Sequence, residues 1–139
     1  MPTRARKDVK ILCSDDDFEI LEILKSHFRS RGFDVEEANN GEEALEQAFT
    51  FRPDAMVLDV MMPRLNGWEV ARHLRERDDF DKTGIVMLTA IGPNLNALTS
   101  PLYGADAHVD KPFELEDVEA AVERVLAERA GITLSDDDD

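Results

Sequence analysis

Five polar residues stand at the ends of short apolar runs, and their types define one chemistry. Asp15 and Asp16 follow Ile11-Leu12-Cys13, Asp59 follows Met56-Val57-Leu58, Thr89 follows Val86-Met87-Leu88, and Lys111 stands just past Ala107-His108-Val109. If these runs are parallel strands of one sheet, their carboxyl ends lie together, which is where open α/β sheets place ligands. Three carboxylates, a hydroxyl and an ammonium then share one crevice. Without a cation the carboxylates would repel and push at least one pKa upward, so the cluster calls for a hard divalent ion, with Mg²⁺ the natural candidate. Taken singly the residues say little. An acidic pair before a helix is more often an N-cap, and Thr89 or Lys111 alone is an ordinary strand-end residue. Their order and separations carry the argument.

The elements that would position them alternate between strand and helix, the pattern of a parallel sheet covered on both faces. Strands are expected at Lys10 to Ser14, Phe33 to Glu37, Ala55 to Asp59, Ile85 to Thr89 and Ala107 to Val109. The first helix, Phe18 to Arg31, places Ile20, Leu21, Leu24 and Phe28 on one face and ends at Gly32. The second, Glu42 to Phe51, turns Ala44, Leu45, Ala48 and Phe49 inward before Pro53, and the third runs from Gly67 to Arg77. Ile91 to Tyr103 is the weakest helix, punctuated by Gly92, Pro93 and Pro101, and a fifth runs from Leu115 to Ala130 before Gly131.

Composition narrows the class. A chain of 139 residues is one domain of ordinary size, able to bury about two thirds of its unfolded surface. Sixteen Lys plus Arg against 31 Asp plus Glu give −15, and setting aside the four aspartates Asp136 to Asp139 still leaves −11. That balance argues against direct nucleic-acid binding, which relies on cations neutralising phosphates. No apolar stretch is long enough to span a bilayer, so no membrane insertion is expected. Cys13 is a lone thiol inside an apolar run, expected as buried filler in a cytoplasmic protein.

Around Asp59 the chain reads Val57-Leu58-Asp59-Val60-Met61-Met62-Pro63-Arg64-Leu65-Asn66-Gly67, which closely resembles the phosphoacceptor loop of receiver domains from two-component response regulators. Ser14-Asp15-Asp16-Asp17, Met87-Leu88-Thr89-Ala90, and Gly104-Ala105-Asp106 through Asp110-Lys111-Pro112-Phe113 resemble the other family motifs, in family order and spacing. The resemblance implies a doubly wound, flavodoxin-like (βα)5 fold, a five-stranded parallel sheet of order 2-1-3-4-5. It divides the chain into an N-terminal arm (1–8), a receiver domain (9–131) and an acidic disordered tail (132–139). It further implies that Asp59 accepts a phosphoryl group from a histidine kinase or histidine phosphotransfer protein, with Mg²⁺ held by Asp16, Asp59 and the Met61 backbone carbonyl, and by Asp15 through water. Lys111 would pair with a phosphoryl oxygen, and Thr89 would move toward the modified Asp59. A cis Lys111-Pro112 bond is a family expectation. Catalysis would be limited to the protein's own phosphorylation and dephosphorylation. The signal would leave by docking through the face of the fourth helix, fifth strand and fifth helix, as in a single-domain regulator.

Several residues depart from the family pattern. His108 stands where the switch ring is usually Tyr or Phe, either as a pH-sensitive coupling or as a plain replacement. Met61, and Ile91 two after Thr89, flank the path of hydrolytic water; both are apolar, so slow self-dephosphorylation is expected. Trp68 reads as a packing residue, His27 and His73 as helix-surface residues. A Mg²⁺-dependent phosphohydrolase is disfavoured, because Met61 cannot act as the acid such enzymes carry two residues after the nucleophile. Flavin binding fails because three aspartates would repel a phosphate after strand one. A never-phosphorylated docking module and a receiver piece of a longer regulator are the alternatives left open.

Overall fold

The computed structural model describes residues 3–90 and 104–135. Among the described residues seven strands and four α-helices follow in the order β1 (Thr3–Arg4), β2 (Lys10–Ser14), α1 (Phe18–Ser30), β3 (Asp34–Ala38), α2 (Gly41–Phe51), β4 (Ala55–Asp59), α3 (Gly67–Arg75), β5 (Gly84–Thr89), β6 (Ala107–Asp110), α4 (Leu115–Val125) and β7 (Thr133–Leu134). After α4 the chain continues through one wide π-type turn, Leu126–Ala130, to Gly131, whose positive φ of 72° ends it. Five strands form one parallel sheet in the order β3-β2-β4-β5-β6. Counting only those five strands, this is the expected 2-1-3-4-5 order. Chain reversal about β2 leaves a crevice at the carboxyl ends of β2 and β4.

The strand sequences explain the layering. β4 and β5 are buried along their entire length, so they carry continuous apolar runs rather than an alternating pattern. Successive side chains point to opposite faces. Ile11, Cys13, Val57, Val86 and Leu88 pack with Leu24 and Phe28 of α1 and Val118 and Val122 of α4. Leu12, Met56, Leu58, Ile85 and Met87 pack with Ala44 and Ala48 of α2 and Val70 and Leu74 of α3. Each fully buried Val, Leu, Ile, Met or Phe side chain among them stabilises the fold by roughly 1.5–3 kcal/mol. β3, at the edge, carries the charged residues Asp34, Glu36 and Glu37. Cys13 is buried, and burial pushes its thiol up to about 12, which makes it inert filler.

Three expectations are corrected. Phe49 is not inward: it is 41% exposed, with its ring 5.6 Å from that of Phe80 and the Arg77 guanidinium 4.9 Å above it. The stripe that packs on the core is Ala44, Ala48 and Phe51; Phe49 falls beside it, where a partner ring and a cation cover its face instead. His27 is no free surface residue either. Its Nε2 lies 2.8 Å from Glu119 on α4, whose other oxygen accepts from Arg31 Nε at 3.0 Å. Burial raises the Glu119 pKa, but these hydrogen bonds and charges outweigh it and hold the carboxyl below its ordinary value. The third correction concerns both ends of the chain. Ile132, expected in the tail, is buried, and Thr133–Leu134 pair in parallel with Thr3–Arg4 of the expected arm. The Ser135 N–H donates to the Arg4 carbonyl at 2.8 Å. Two-residue strands leave no periodicity to read, and only chain closure creates them. The fourth helix expected over Ile91 to Tyr103 and the aspartates Asp136 to Asp139 lie outside the described residues.

Candidate functional site

Four strand ends deliver the side chains. Asp15 follows β2, Asp59 closes β4, Thr89 closes β5, and Lys111 follows β6; the register pairs Asp59 with Leu88 and Thr89 with Asp110. The Lys111 N–H donates to the Thr89 carbonyl at 2.8 Å, extending the β5–β6 ladder into the site. Its side chain then reaches across the sheet end. Lys111 Nζ lies 3.1 Å from Asp15 Oδ2 and 3.2 Å from Asp59 Oδ1. The Lys111–Pro112 peptide is cis, as the resemblance implied.

The capping alternative for the acidic pair is resolved by Asp17, not by Asp15 or Asp16. Asp17 is the N-cap of α1, accepting from the N–H groups of Glu19 at 2.9 Å and Ile20 at 3.3 Å. Asp15 is left for the site: it is fully buried, and its Oδ1 accepts from the Asp17 N–H at 2.9 Å. Asp16 is exposed at the rim. One carboxylate oxygen from each of Asp15, Asp16 and Asp59 can be chosen so that all three lie within 4.8 Å of one another.

Electrostatics mark Asp59 as the perturbed group. Burial first, then the Asp15 carboxylate, push its pKa up from 3.8 to about 7, against the opposing pull of Lys111 and a 3.4 Å hydrogen bond from the Met61 N–H. For Lys111, burial works against the ammonium, but the charges and hydrogen bonds of Asp59 and Asp15 outweigh it and hold it above its ordinary value. Three carboxylates face one ammonium, so a deficit of positive charge remains. Hard oxygen donors with that deficit fit Mg²⁺, which takes few protein carboxylates and keeps several waters.

The loop after Asp59 is held by close backbone approach. The Val60 N–H donates to the Leu88 carbonyl and the Gly67 N–H to the Val60 carbonyl, both at 2.9 Å. Gly67 must be glycine for space: a Cβ there would stand 2.5 Å from the Asp59 carbonyl oxygen. Asn66 and Glu69 close a reciprocal capping box at the start of α3. Sequence reasoning missed the packing role of Gly67, since a glycine that opens a helix carries no local sign of what it packs against. Met61 projects outward, 65% exposed, and Trp68 is half-buried against the α2–α3 core, as its packing role required.

Beside the acidic site lies a largely apolar groove of about 780 Å³ between α1 and the loop after Lys111; its lining includes Ile20, Ile23, Pro112, Phe113 and Leu115, with Lys111, His27, Glu114 and Glu116 as its polar members. Phe18 at the start of α1 is 74% exposed and Ile23 49%. His108 is placed elsewhere: half-buried, it lines a separate groove between β6 and α4 with Ala107, Val109, Ala120, Ala121 and Arg124. Among the described residues, no helix is long and apolar enough to cross a membrane.

Known proteins resemble this chain in sequence and fold. The response regulator receiver domain profile matches residues 11–123. The response regulator MprA of Mycobacterium leprae is 43% identical over 118 residues, covering 85% of this chain and 51% of that protein. A probable transcriptional regulator, ycf27, of Pyropia yezoensis is 41% identical over 126 residues, 91% of this chain and 51% of that protein. The chain thus spans about half the length of the curated relatives it matches. Among solved structures, the receiver domain of the Francisella response regulator 1452 superposes with a TM-score of 0.80 at 30% identity, covering 87% of this chain and 98% of its own. The chemotaxis response regulator CheY4 of Vibrio cholerae superposes at 0.79 with 31% identity, covering 84% and 98%. With the profile spanning most of the sheet and all four strand ends that build the acidic site, this chain belongs to the response regulator receiver domain family.

Proposed function

We propose that this chain is a phosphorylation-switched receiver in which Asp59 takes a phosphoryl group from the phosphohistidine of a histidine kinase or histidine phosphotransfer protein. The observation that carries this reading is the placement of Asp59 Oδ1 3.2 Å from Lys111 Nζ within a cluster of three carboxylates. A carboxylate oxygen of Asp59 forms the new bond to phosphorus as the phosphorus–nitrogen bond of the donor breaks, and the electron pair returns to the leaving imidazole. Lys111, a compact cation already at the nucleophile, meets the charge that builds on the phosphoryl oxygens. Mg²⁺ held by Asp16, Asp59 and the Met61 carbonyl, with Asp15 through water, would screen negative charge and align the donor. Asp15 also keeps Lys111 in place, because its buried carboxylate is the ammonium's second partner. Thr89 responds to the added charge through its hydroxyl.

The groove between α1 and Pro112–Leu115 receives the phosphoryl donor, since its apolar lining adjoins Lys111. The downstream target docks on the face of β6 and α4. His108 lies on that face and stands in for the aromatic switch ring. The chain works in the cytoplasm, without direct nucleic-acid contact, and turns over no released substrate beyond its own phosphoryl group. It acts alone or as the receiver of a longer regulator.

Intact mass after incubation with acetyl phosphate and Mg²⁺ tests the reading. A single phosphoryl adduct is expected, absent with chelator and absent in Asp59→Asn. Folded protein that gains no adduct would leave a docking module that is never phosphorylated.

A further inference from the structure

The first turn of α2 meets the phosphoacceptor loop backbone to backbone. Gly41, its first residue, donates its N–H to the Pro63 carbonyl at 3.3 Å, and a Cβ on Gly41 would overlap the Leu65 carbonyl oxygen outright. The φ of Gly41 is not positive, so the backbone there suits any residue. Gly41 is the first helical residue after the Asn40 cap, where no local backbone requirement calls for glycine. Only the approach of the Leu65 carbonyl accounts for it. One residue on, Glu42 pairs with Arg64 across the same contact at 3.5 Å. Gly67 holds the far end of the loop against the Asp59 carbonyl. The segment from Val60 to Asn66 is therefore braced at both ends, and it carries the Met61 backbone, whose N–H already touches Asp59 Oδ1.

We propose that Gly41 is a positioning residue for the metal site: its missing side chain lets α2 brace the Pro63–Leu65 backbone and thereby fixes the Met61 carbonyl beside Asp59. This rests on the reading of Mg²⁺ binding given above. A Cβ at position 41 pushes the loop away from α2, and the displacement reaches Met61 because Pro63 and the Leu65 N–H bond to the Pro63 carbonyl leave little slack between them.

Calorimetric Mg²⁺ titration of the wild type, Gly41→Ala and Gly84→Ala separates this role from general destabilisation. Gly84 is the control, because a Cβ there presses on Val125 Cγ2 at 2.6 Å, at the other end of β5 from Thr89. Gly41→Ala should weaken Mg²⁺ binding about tenfold or more, as loss of a supporting contact does at metal sites. Gly84→Ala should lower the melting temperature and leave the affinity of the folded protein unchanged. Unchanged affinity in Gly41→Ala, or equal loss in both variants, overturns the inference. A wild type that binds no Mg²⁺ overturns the metal reading itself and this inference with it. If Gly41→Ala does not fold, amide exchange in the wild type decides: saturating Mg²⁺ should slow the Gly41 N–H more than the Gly84 N–H, and equal slowing refutes the coupling.

Discussion

Replacing Asp59 by Asn removes the most strongly perturbed charge of the site and should stabilise the fold in a pH-dependent way. In the metal-free protein burial and Asp15 raise the Asp59 pKa to about 7 from 3.8. Between those values the folded state keeps a proton that the unfolded chain has released, so stability falls as pH rises through this window. Above it the full cost is present. A gap of about three pH units, at about 1.4 kcal/mol each, sets a ceiling of about 4 kcal/mol. The observable gain will be smaller, since the substitution also takes from Lys111 one of its two carboxylate partners, at 3.2 Å. A gain of about 1–3 kcal/mol at pH 8 is expected, shrinking toward zero near pH 4. Urea unfolding of both proteins in chelator at pH 4, 5, 6, 7 and 8 measures it, and saturating Mg²⁺ should narrow the gap at pH 8 by stabilising only the wild type. A difference that does not vary with pH, or a variant less stable than wild type at pH 8, would refute the electrostatic reasoning.

Lys111→Met removes the ammonium that bridges Asp15 and Asp59, so Mg²⁺ no longer competes with it and should bind at least threefold tighter by calorimetry, while the acetyl phosphate adduct is lost; weaker Mg²⁺ binding would contradict the competition. The Ser14 hydroxyl is buried and has no hydrogen-bond partner among the described residues, so Ser14→Ala should raise stability by about 1 kcal/mol in urea unfolding. A loss of that size would mean the hydroxyl is satisfied. Met61 is exposed beside Asp59 and cannot orient water, so Met61→Asn should shorten the lifetime of the phosphoryl adduct on the order of tenfold. An unchanged decay, followed by mass, would place control of hydrolysis elsewhere.

Strand runs such as Met56 to Asp59 and Val86 to Thr89 were legible in the sequence because a strand buried on both faces must be apolar throughout, and the polar residue ending each run marks the carboxyl edge of the sheet. The acidic pair, Asp59, Thr89 and Lys111 were legible for the same reason, and the structure brings all of them to that edge. What sequence could not decide depends on approach between distant segments. Nothing local distinguishes Asp17 as the cap from Asp15 as a buried partner of Lys111, since three consecutive aspartates are equivalent until the strand ends and the helix begins between them. The inward or outward turn of Phe49 depends on Phe80 and Arg77, which come from another element. His27 gains its partner only because α1 lies against α4, and Thr3–Arg4 form a strand only because Thr133–Leu134 return beside them. Gly41 and Gly67 carry no local sign of their packing until the fold sets a carbonyl where each side chain would stand. Periodicity and residue type record what each segment buries and which chemistry it carries; the sub-ångström question of which backbone meets which is set only when the sheet closes and its helices dock.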